Sequence, residues 1–166
     1  HIMEGGTGTA SKKRVQPYDF PEGYEAGTIN APAIIGLGCS SEYIKKIGIE
    51  VIEKYEKELI SWLDAELANM GKVTLYGPSC SEKVGISLFN IKGMGAEEVT
   101  EELSKTYGIA VRGGFHCSGL AHKTIGTWNE GAVRVSVGPY NTKKEMRAFV
   151  EALHKMSKNV LKKILF

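Results

Sequence analysis

Several features that mark specialised classes of protein are missing from this sequence of 166 residues. No apolar run approaches the roughly 20 residues that a helix needs to cross a bilayer, which argues against a membrane partner. The formal net charge is only +2 and the lysines and arginines are scattered, which argues against nucleic acid as a partner. The three cysteines, an odd number at irregular spacing, make no disulfide framework. We therefore expect a protein of the reducing, cytoplasmic compartment.

What is present is the composition of an ordinary globular domain, with 42% apolar and 24% charged residues and enough length to bury a core. A long amphipathic helix is followed by a mixture of strand and helix patterns. This order predicts an α+β (α/β layered) fold, a small sheet with helices packed on one face. The predicted helices cover residues 33–37, 41–70, 96–107, part of 118–127 and the chain after a capping box at 142–145, and the predicted strands cover 73–76, 85–91, 109–112 and 132–137. The first helix is expected to be interrupted near Gly36 and Gly38.

The segment AVRGGFHC at residues 110–117 carries the best nucleophile candidate. A short apolar run leads into two glycines that allow a tight turn, and Cys117 follows with His116 beside it. A thiol reacts as thiolate, and a cationic neighbour such as Arg112 or a charged histidine favours that form. From these residues alone, a buried and unreactive cysteine at a strand end is the simpler interpretation.

Two further stretches are candidates for holding an anion. The loop EGGTGTAS at residues 4–11 offers backbone N–H groups and hydroxyls, although its glycine spacing fits neither the P-loop nor the dinucleotide fingerprint, and a plain turn explains it as simply. Gly27 and Thr28 precede a helix that Asn30 is expected to cap, with Pro32 in its first turn. A helix N-terminus attracts phosphate, but a capped helix start without a ligand explains this stretch equally well.

Four motifs in order make the chain resemble the C-terminal part of a class V aminotransferase, in the branch of the cysteine desulfurases and selenocysteine lyases. They are EGGTGTAS at 4–11, YEAGTIN at 24–30, GIAVRGGFHC at 108–117 and GAVRVSVGPYNT at 131–142. The resemblance implies the C-terminal small domain of a fold-type I enzyme that uses pyridoxal 5′-phosphate (PLP) and forms a homodimer. Residues 1–40 would then be a glycine-rich loop and linker of the large-domain and dimer-interface region, and residues 41–166 the small domain.

The resemblance also implies roles for particular residues. Cys117 would take the sulfur of L-cysteine, leaving alanine and a persulfide that is passed to a sulfur-acceptor protein. His116 is placed with it as a catalytic residue that tunes the thiol, with a structural role as the alternative. Arg134 and Arg112 would bind the substrate carboxylate, because a guanidinium matches a carboxylate with paired donors.

Gly27 and Thr28 would contact the PLP phosphate across the dimer, and no metal is implied. The family's PLP-binding lysine, expected just before the glycine-rich loop, has no counterpart in this sequence. We therefore expect the chain by itself to be inactive. Cys39 and Cys80 lie in no matching functional motif and are interpreted as structural.

Three interpretations of function stay open at this stage. The first is a cysteine desulfurase, which the sequence does not separate from a selenocysteine lyase. The second is a class V aminotransferase that acts on another amino acid, in which Cys117 is incidental. The third is a non-catalytic module that accepts sulfur or binds a partner through Cys117.

Overall fold

The computed structural model describes residues 4–6 and 12–165. Residues 7–11 of the predicted glycine-rich loop lie outside the described residues. The chain divides into two compact units, His1–Ile47 and Gly48–Phe166. The assignment of residues 1–40 to the region of a large domain stays a prediction.

The first unit contains a single turn of 3₁₀ helix at Glu22–Tyr24 and the helix α1 at Ala31–Ile47. The predicted cap is confirmed, because Oδ1 of Asn30 accepts the N–H of Ala33 at 3.1 Å. The predicted interruption near Gly36 and Gly38 is wrong, since α1 runs through both. Each glycine inside a helix costs only about 1 kcal/mol relative to alanine, which is too little to break a helix of 17 residues.

Among its described residues, the second unit holds a three-stranded antiparallel sheet, four α-helices and a single turn of 3₁₀ helix at Cys80–Glu82. The predicted single helix over residues 41–70 is wrong, because Gly48, with a φ of 93°, interrupts the helical backbone between α1 and the next helix. The sheet has the order β1-β2-β3, with Leu75 opposite Phe89 and Phe89 opposite Val133. The elements of this unit are α2 at Ile49–Ala68, β1 at Val73–Tyr76, β2 at Ile86–Ile91, α3 at Ala96–Tyr107, α4 at Gly119–Thr124, β3 at Val133–Ser136 and α5 at Lys143–Leu165.

One face of the sheet and three helices form the hydrophobic core. Alternate residues of β2 and β3 point to this face, as a period of two requires, and the ring of Phe89 lies 6.1 Å from that of Phe149 on α5 in an edge-to-face contact. The predicted layered fold, with helices on one face, is therefore confirmed. The fully buried members of the core include Leu59, Leu63, Leu67, Phe89, Val99, Leu103, Val133 and Leu153.

One predicted strand is wrong. Residues 109–112 form no strand, and only Arg112 makes a β-bridge, with Arg134. The cause lies at the end of α3, where Gly108 adopts φ 65° and the N–H of Ile109 bonds back to the carbonyl of Leu103 at 3.0 Å. Because of this turn, the segment comes within hydrogen-bonding distance of β3 only at Arg112. Across the described part of the chain, no helix is both long and apolar enough to cross a membrane.

Candidate active site around Cys117

Two glycines hold the loop after Arg112 close to its neighbours. A Cβ on Gly113 would lie 2.5 Å from the carbonyl oxygen of Ala96, and a Cβ on Gly131 would lie 2.8 Å from the carbonyl carbon of Gly114. Only glycine allows backbones to approach so closely. Asn90 also holds the backbone at Gly131, because its Nδ2 donates to the carbonyl of Gly131 at 3.0 Å.

The loop then presents Cys117 in an uncommon backbone conformation. His116 has φ 54° and Cys117 has φ 56°, in the left-handed region that costs non-glycine residues of the order of 1–3 kcal/mol each and is concentrated at functional sites. Cys117 is exposed and free. Its Sγ accepts a hydrogen bond from Nη2 of Arg112 at 3.6 Å. The cationic neighbour of the thiol is therefore Arg112.

His116 is turned away from the thiol. Its Nε2 donates to the carbonyl oxygen of Arg112 at 3.0 Å, and its Nδ1 lies 3.2 Å from Nε2 of His122. Burial is the largest cause that lowers the pKa of His116; the bond to the carbonyl opposes it, and the charges of Arg134, His122 and Arg112 add to the lowering. Both ring nitrogens therefore have partners within the protein, and the catalytic role of His116 stays a prediction.

Arg112 and Arg134 form a pair of cations on the free face of the sheet. Their main chains exchange hydrogen bonds of 3.2 and 2.7 Å, so they are directly opposite and their side chains share a face. Within the described ranges, neither guanidinium forms an ion pair, and Nε of Arg134 is buried with no hydrogen-bond partner. Like charges in this position repel each other, and an anion between them would relieve the repulsion.

The structure therefore brings Arg112, His116, Cys117 and Arg134 together in the second unit. Gly27 and Thr28 belong to the first unit, in an exposed turn where the N–H of Gly27 donates to the carbonyl of Gly6 at 2.6 Å.

Two cysteines lie outside this arrangement. Cys39 is exposed and free, so its predicted structural role has no buried packing to support it. The side chain of Cys80 lies outside the described part of the structure.

Two polar residues of this site were missed by the sequence analysis. His122 and Thr127 are buried and hydrogen-bonded to each other at 2.7 Å. Their spacing of five residues fits neither a helical nor a strand period, and the segment is a short helix followed by a turn. The contact of His122 with His116 depends on the fold of the loop, so no local pattern could have indicated it.

Comparisons with known proteins point to one family. The sequence model of the family described as Aminotransferase class-V matches residues 1–149. A probable cysteine desulfurase of Methanothermobacter thermautotrophicus is 36% identical over 140 residues, which are 84% of this chain and 35% of that protein. A cysteine desulfurase of Wigglesworthia glossinidia brevipalpis is 37% identical over 140 residues, 84% of this chain and 33% of that protein.

Solved structures agree with these relatives. The apo structure of a cysteine desulfurase from Thermococcus onnurineus superposes with a TM-score of 0.75 at 33% identity, and the match covers 84% of this chain and 34% of that one. The cysteine desulfurase CsdA of Escherichia coli, in an S-sulfonic acid form, gives a TM-score of 0.72 at 25% identity over 96% of this chain and 38% of that one. The chain thus spans about a third of the length of the curated relatives it matches.

Proposed function

This chain belongs to the class V aminotransferase family, and from that membership we propose that it is the C-terminal part of a PLP-dependent cysteine desulfurase. The similarity to cysteine desulfurases in both sequence and structure supports the proposal. By itself the chain is inactive under this proposal, because the lysine that binds PLP belongs to another part of the enzyme.

The observation that carries the proposal is the grouping of a free thiol with two arginines whose guanidinium groups form no ion pair with any described residue. The Sγ of Cys117 lies 3.6 Å from Nη2 of Arg112, and Arg112 is paired through its main chain with Arg134. A substrate carboxylate would balance the two positive charges with bidentate hydrogen bonds. The orphaned Nε of Arg134 supports a ligand at this position. An amino acid held there by its carboxylate can present its side chain to Cys117.

The proposed reaction is the transfer of sulfur from L-cysteine to Cys117. The thiolate of Cys117 attacks the sulfur of the substrate, and a sulfur–sulfur bond forms while the carbon–sulfur bond of the substrate breaks. The electron pair of that bond stays on carbon, which takes a proton and leaves as alanine. PLP, when bound, supplies the electron sink that makes this cleavage possible. The guanidinium of Arg112 stabilises the attacking thiolate.

The turn at Gly27 and Thr28 fits a role in holding the PLP phosphate. Gly27 has φ 80°, and none of the residues that the structure describes has an atom within 4 Å of the position of a Cβ there. Thr28 is exposed and offers a hydroxyl donor. The turn is therefore open to a ligand that approaches from outside the unit. We propose that these residues contact the phosphate bound in the other subunit of a homodimer.

Residues 1–40 are proposed to belong to the large-domain and dimer-interface region, and residues 41–166 to the small domain. No residue of α1 is buried, and Ile34, Ile35 and Leu37 are between 59% and 69% exposed, which supports a further contact for this helix. We propose that a sulfur-acceptor protein receives the persulfide. We also propose the cytoplasm as the location, because Cys117 has to stay a thiol between cycles.

The experiment that tests this function measures alanine and sulfide released from L-cysteine by the complete protein with PLP and an added thiol reductant, which reduces the persulfide on Cys117 and frees its outer sulfur as sulfide. We expect both products from the parent protein and neither from Cys117→Ala. Cys39→Ala is the matched control, since Cys39 is also an exposed free thiol, and it should keep full activity. If Cys117→Ala retains activity, Cys117 is not the nucleophile; if it also transfers the amino group to a keto acid, the enzyme is an aminotransferase.

A further inference from the structure

The side chains of His116, His122 and Thr127 form a chain of hydrogen bonds next to the cysteine loop. His122 and Thr127 take no part in the reaction proposed above. His122 is 2% exposed and Thr127 is 1% exposed. The Nε2 of His122 lies 3.2 Å from Nδ1 of His116, and the Nδ1 of His122 lies 2.7 Å from Oγ1 of Thr127. The main chain closes the same turn, since the N–H of Thr127 donates to the carbonyl of His122 at 2.9 Å.

The donor and acceptor in each of these hydrogen bonds follow from the contact between His116 and the carbonyl of Arg112. Nε2 of His116 faces the carbonyl oxygen of Arg112, which only accepts, so this nitrogen carries a proton. Because burial lowers the pKa of His116, the neutral ring is favoured, and its Nδ1 accepts from Nε2–H of His122. When the ring of His122 carries one proton, its Nδ1 accepts from the hydroxyl of Thr127. The arrangement predicts the Nε2–H tautomer for both histidines.

An aromatic ring packs against His122, and a second ring packs against the first. The ring of Phe115 makes an edge-to-face contact with that of His122, with centroids 5.4 Å apart, and lies 6.5 Å from the ring of Trp128. The ring of Trp128 in turn lies over Gly119, where a Cβ would be 3.3 Å from it. Because His122 and Thr127 are buried, a hydrogen bond between them is stronger than in water. Leaving one of these groups without its partner would therefore cost more free energy than at the surface.

We propose that His122 and Thr127 are positioning residues for Cys117. The left-handed backbone at His116 and Cys117 requires a contact that holds it. The bonds from His122 fix the ring of His116, and that ring binds the carbonyl of Arg112. The guanidinium of Arg112 then lies beside the thiol. The inference rests on the proposed function, because the position of the thiol matters when Cys117 is the reacting group.

The first test compares Thr127→Val with Thr127→Ser in the complete protein. Valine keeps the shape of threonine and removes the hydroxyl, whereas serine keeps the hydroxyl and removes the methyl group. The readout is the rate at which iodoacetamide alkylates Cys117, followed by peptide mass spectrometry, with Cys39 as an internal reference. We expect Thr127→Val to change the rate at Cys117 about tenfold, the equivalent of about 1.4 kcal/mol, and Thr127→Ser to restore the parent rate.

A role in packing alone would give the opposite order, with valine harmless and serine harmful, and that result would overturn the proposal. So would an unchanged rate in both variants. Alkylation needs no turnover, so this outcome is independent of whether the protein desulfurates cysteine. If alkylation responds as expected but the complete protein releases no alanine, the positioning role stands and the proposed function fails.

The second test uses the parent protein and therefore does not depend on how a variant folds. Nitrogen-15 NMR of labelled histidine distinguishes a protonated from an unprotonated ring nitrogen. For the neutral ring of each of His116 and His122, we expect the proton on Nε2 and none on Nδ1. A proton on Nδ1 of a neutral His122 would reverse the hydrogen bond to Thr127, and the proposal would then be wrong.

Discussion

Single residues determine the electrostatics of the cysteine loop, and Arg112 interacts with three other residues there. Its main chain pairs with Arg134, its carbonyl binds the ring of His116, and its guanidinium reaches the sulfur of Cys117. The imidazole of His116 is hydrogen-bonded to the main chain of the loop, and the cation beside the thiol is the guanidinium of Arg112.

The pH dependence of stability tests the surroundings of His116. Its pKa in the folded protein lies below the ordinary value of 6.5, so the unfolded chain binds a proton more readily. The free energy of unfolding should thus fall as the pH decreases from about 6.5 through the lowered pKa, and this contribution should level off below it. Urea titrations over this range should show a weaker decline for His116→Gln than for the parent protein.

The control for this experiment is His154→Gln, because His154 is exposed on α5. Its unfolding free energy should follow the parent curve. An equal decline for the parent and His116→Gln would mean that the histidine is not desolvated by the loop.

At the scale of elements, α5 is the helix whose beginning the sequence specifies most completely. Thr142 and Glu145 form the predicted capping box: the N–H of Thr142 donates to Oε2 of Glu145 at 2.6 Å, and the N–H of Glu145 donates to Oγ1 of Thr142 at 3.3 Å. The helix then adds Phe149 and Leu153 to the core. A local signal and the tertiary packing thus specify the same helix.

Removal of this cap should measurably destabilise the second unit. Thr142→Ala deletes the hydroxyl that accepts the N–H of Glu145, and we expect a loss of about 0.5–2 kcal/mol in the free energy of unfolding. Thr142→Ser keeps the hydroxyl acceptor and should retain most of the parent protein's free energy of unfolding. Urea denaturation measures both, and equal stability of Thr142→Ala and the parent protein would contradict a stabilising cap.

The elements that could be predicted are those with a local cause. Alternation predicted β3, the glycine and proline at residues 77 and 78 predicted where β1 ends, and the glycine after α3 predicted where that helix ends. Residues 109–112 were predicted as a strand from their apolar character, but pairing depends on the turn at Gly108, which a pattern of hydropathy does not contain. In the same way, Gly36 and Gly38 were predicted to interrupt α1, but two weak helix formers do not outweigh the helix-forming residues around them.

The candidate site shows the same limit. Cys117 and Arg112 are five residues apart, and their association could be predicted from one loop. The facing of Arg112 and Arg134 needs the register of β3, and the contact of His116 with His122 needs the left-handed turn between them. Such contacts are properties of the folded chain.

At the scale of the whole molecule, the chain contains Cys117, the proposed nucleophile, and the two arginines proposed to bind the substrate carboxylate. It matches only about a third of the length of its relatives. The two compact units divide the proposed functions between them, with Gly27 and Thr28 in the first and Cys117 in the second. Chemistry that needs both PLP and Cys117 therefore requires the complete protein.

The most direct test of the central claim is to locate the transferred sulfur. The complete protein with PLP is given L-cysteine, its thiols and persulfides are alkylated, and the peptides are analysed by mass spectrometry. We predict one additional sulfur atom on the peptide that contains Cys117 and none on the peptide that contains Cys39. Alanine formation with the additional sulfur on another cysteine, or with no persulfide at Cys117, would contradict the account.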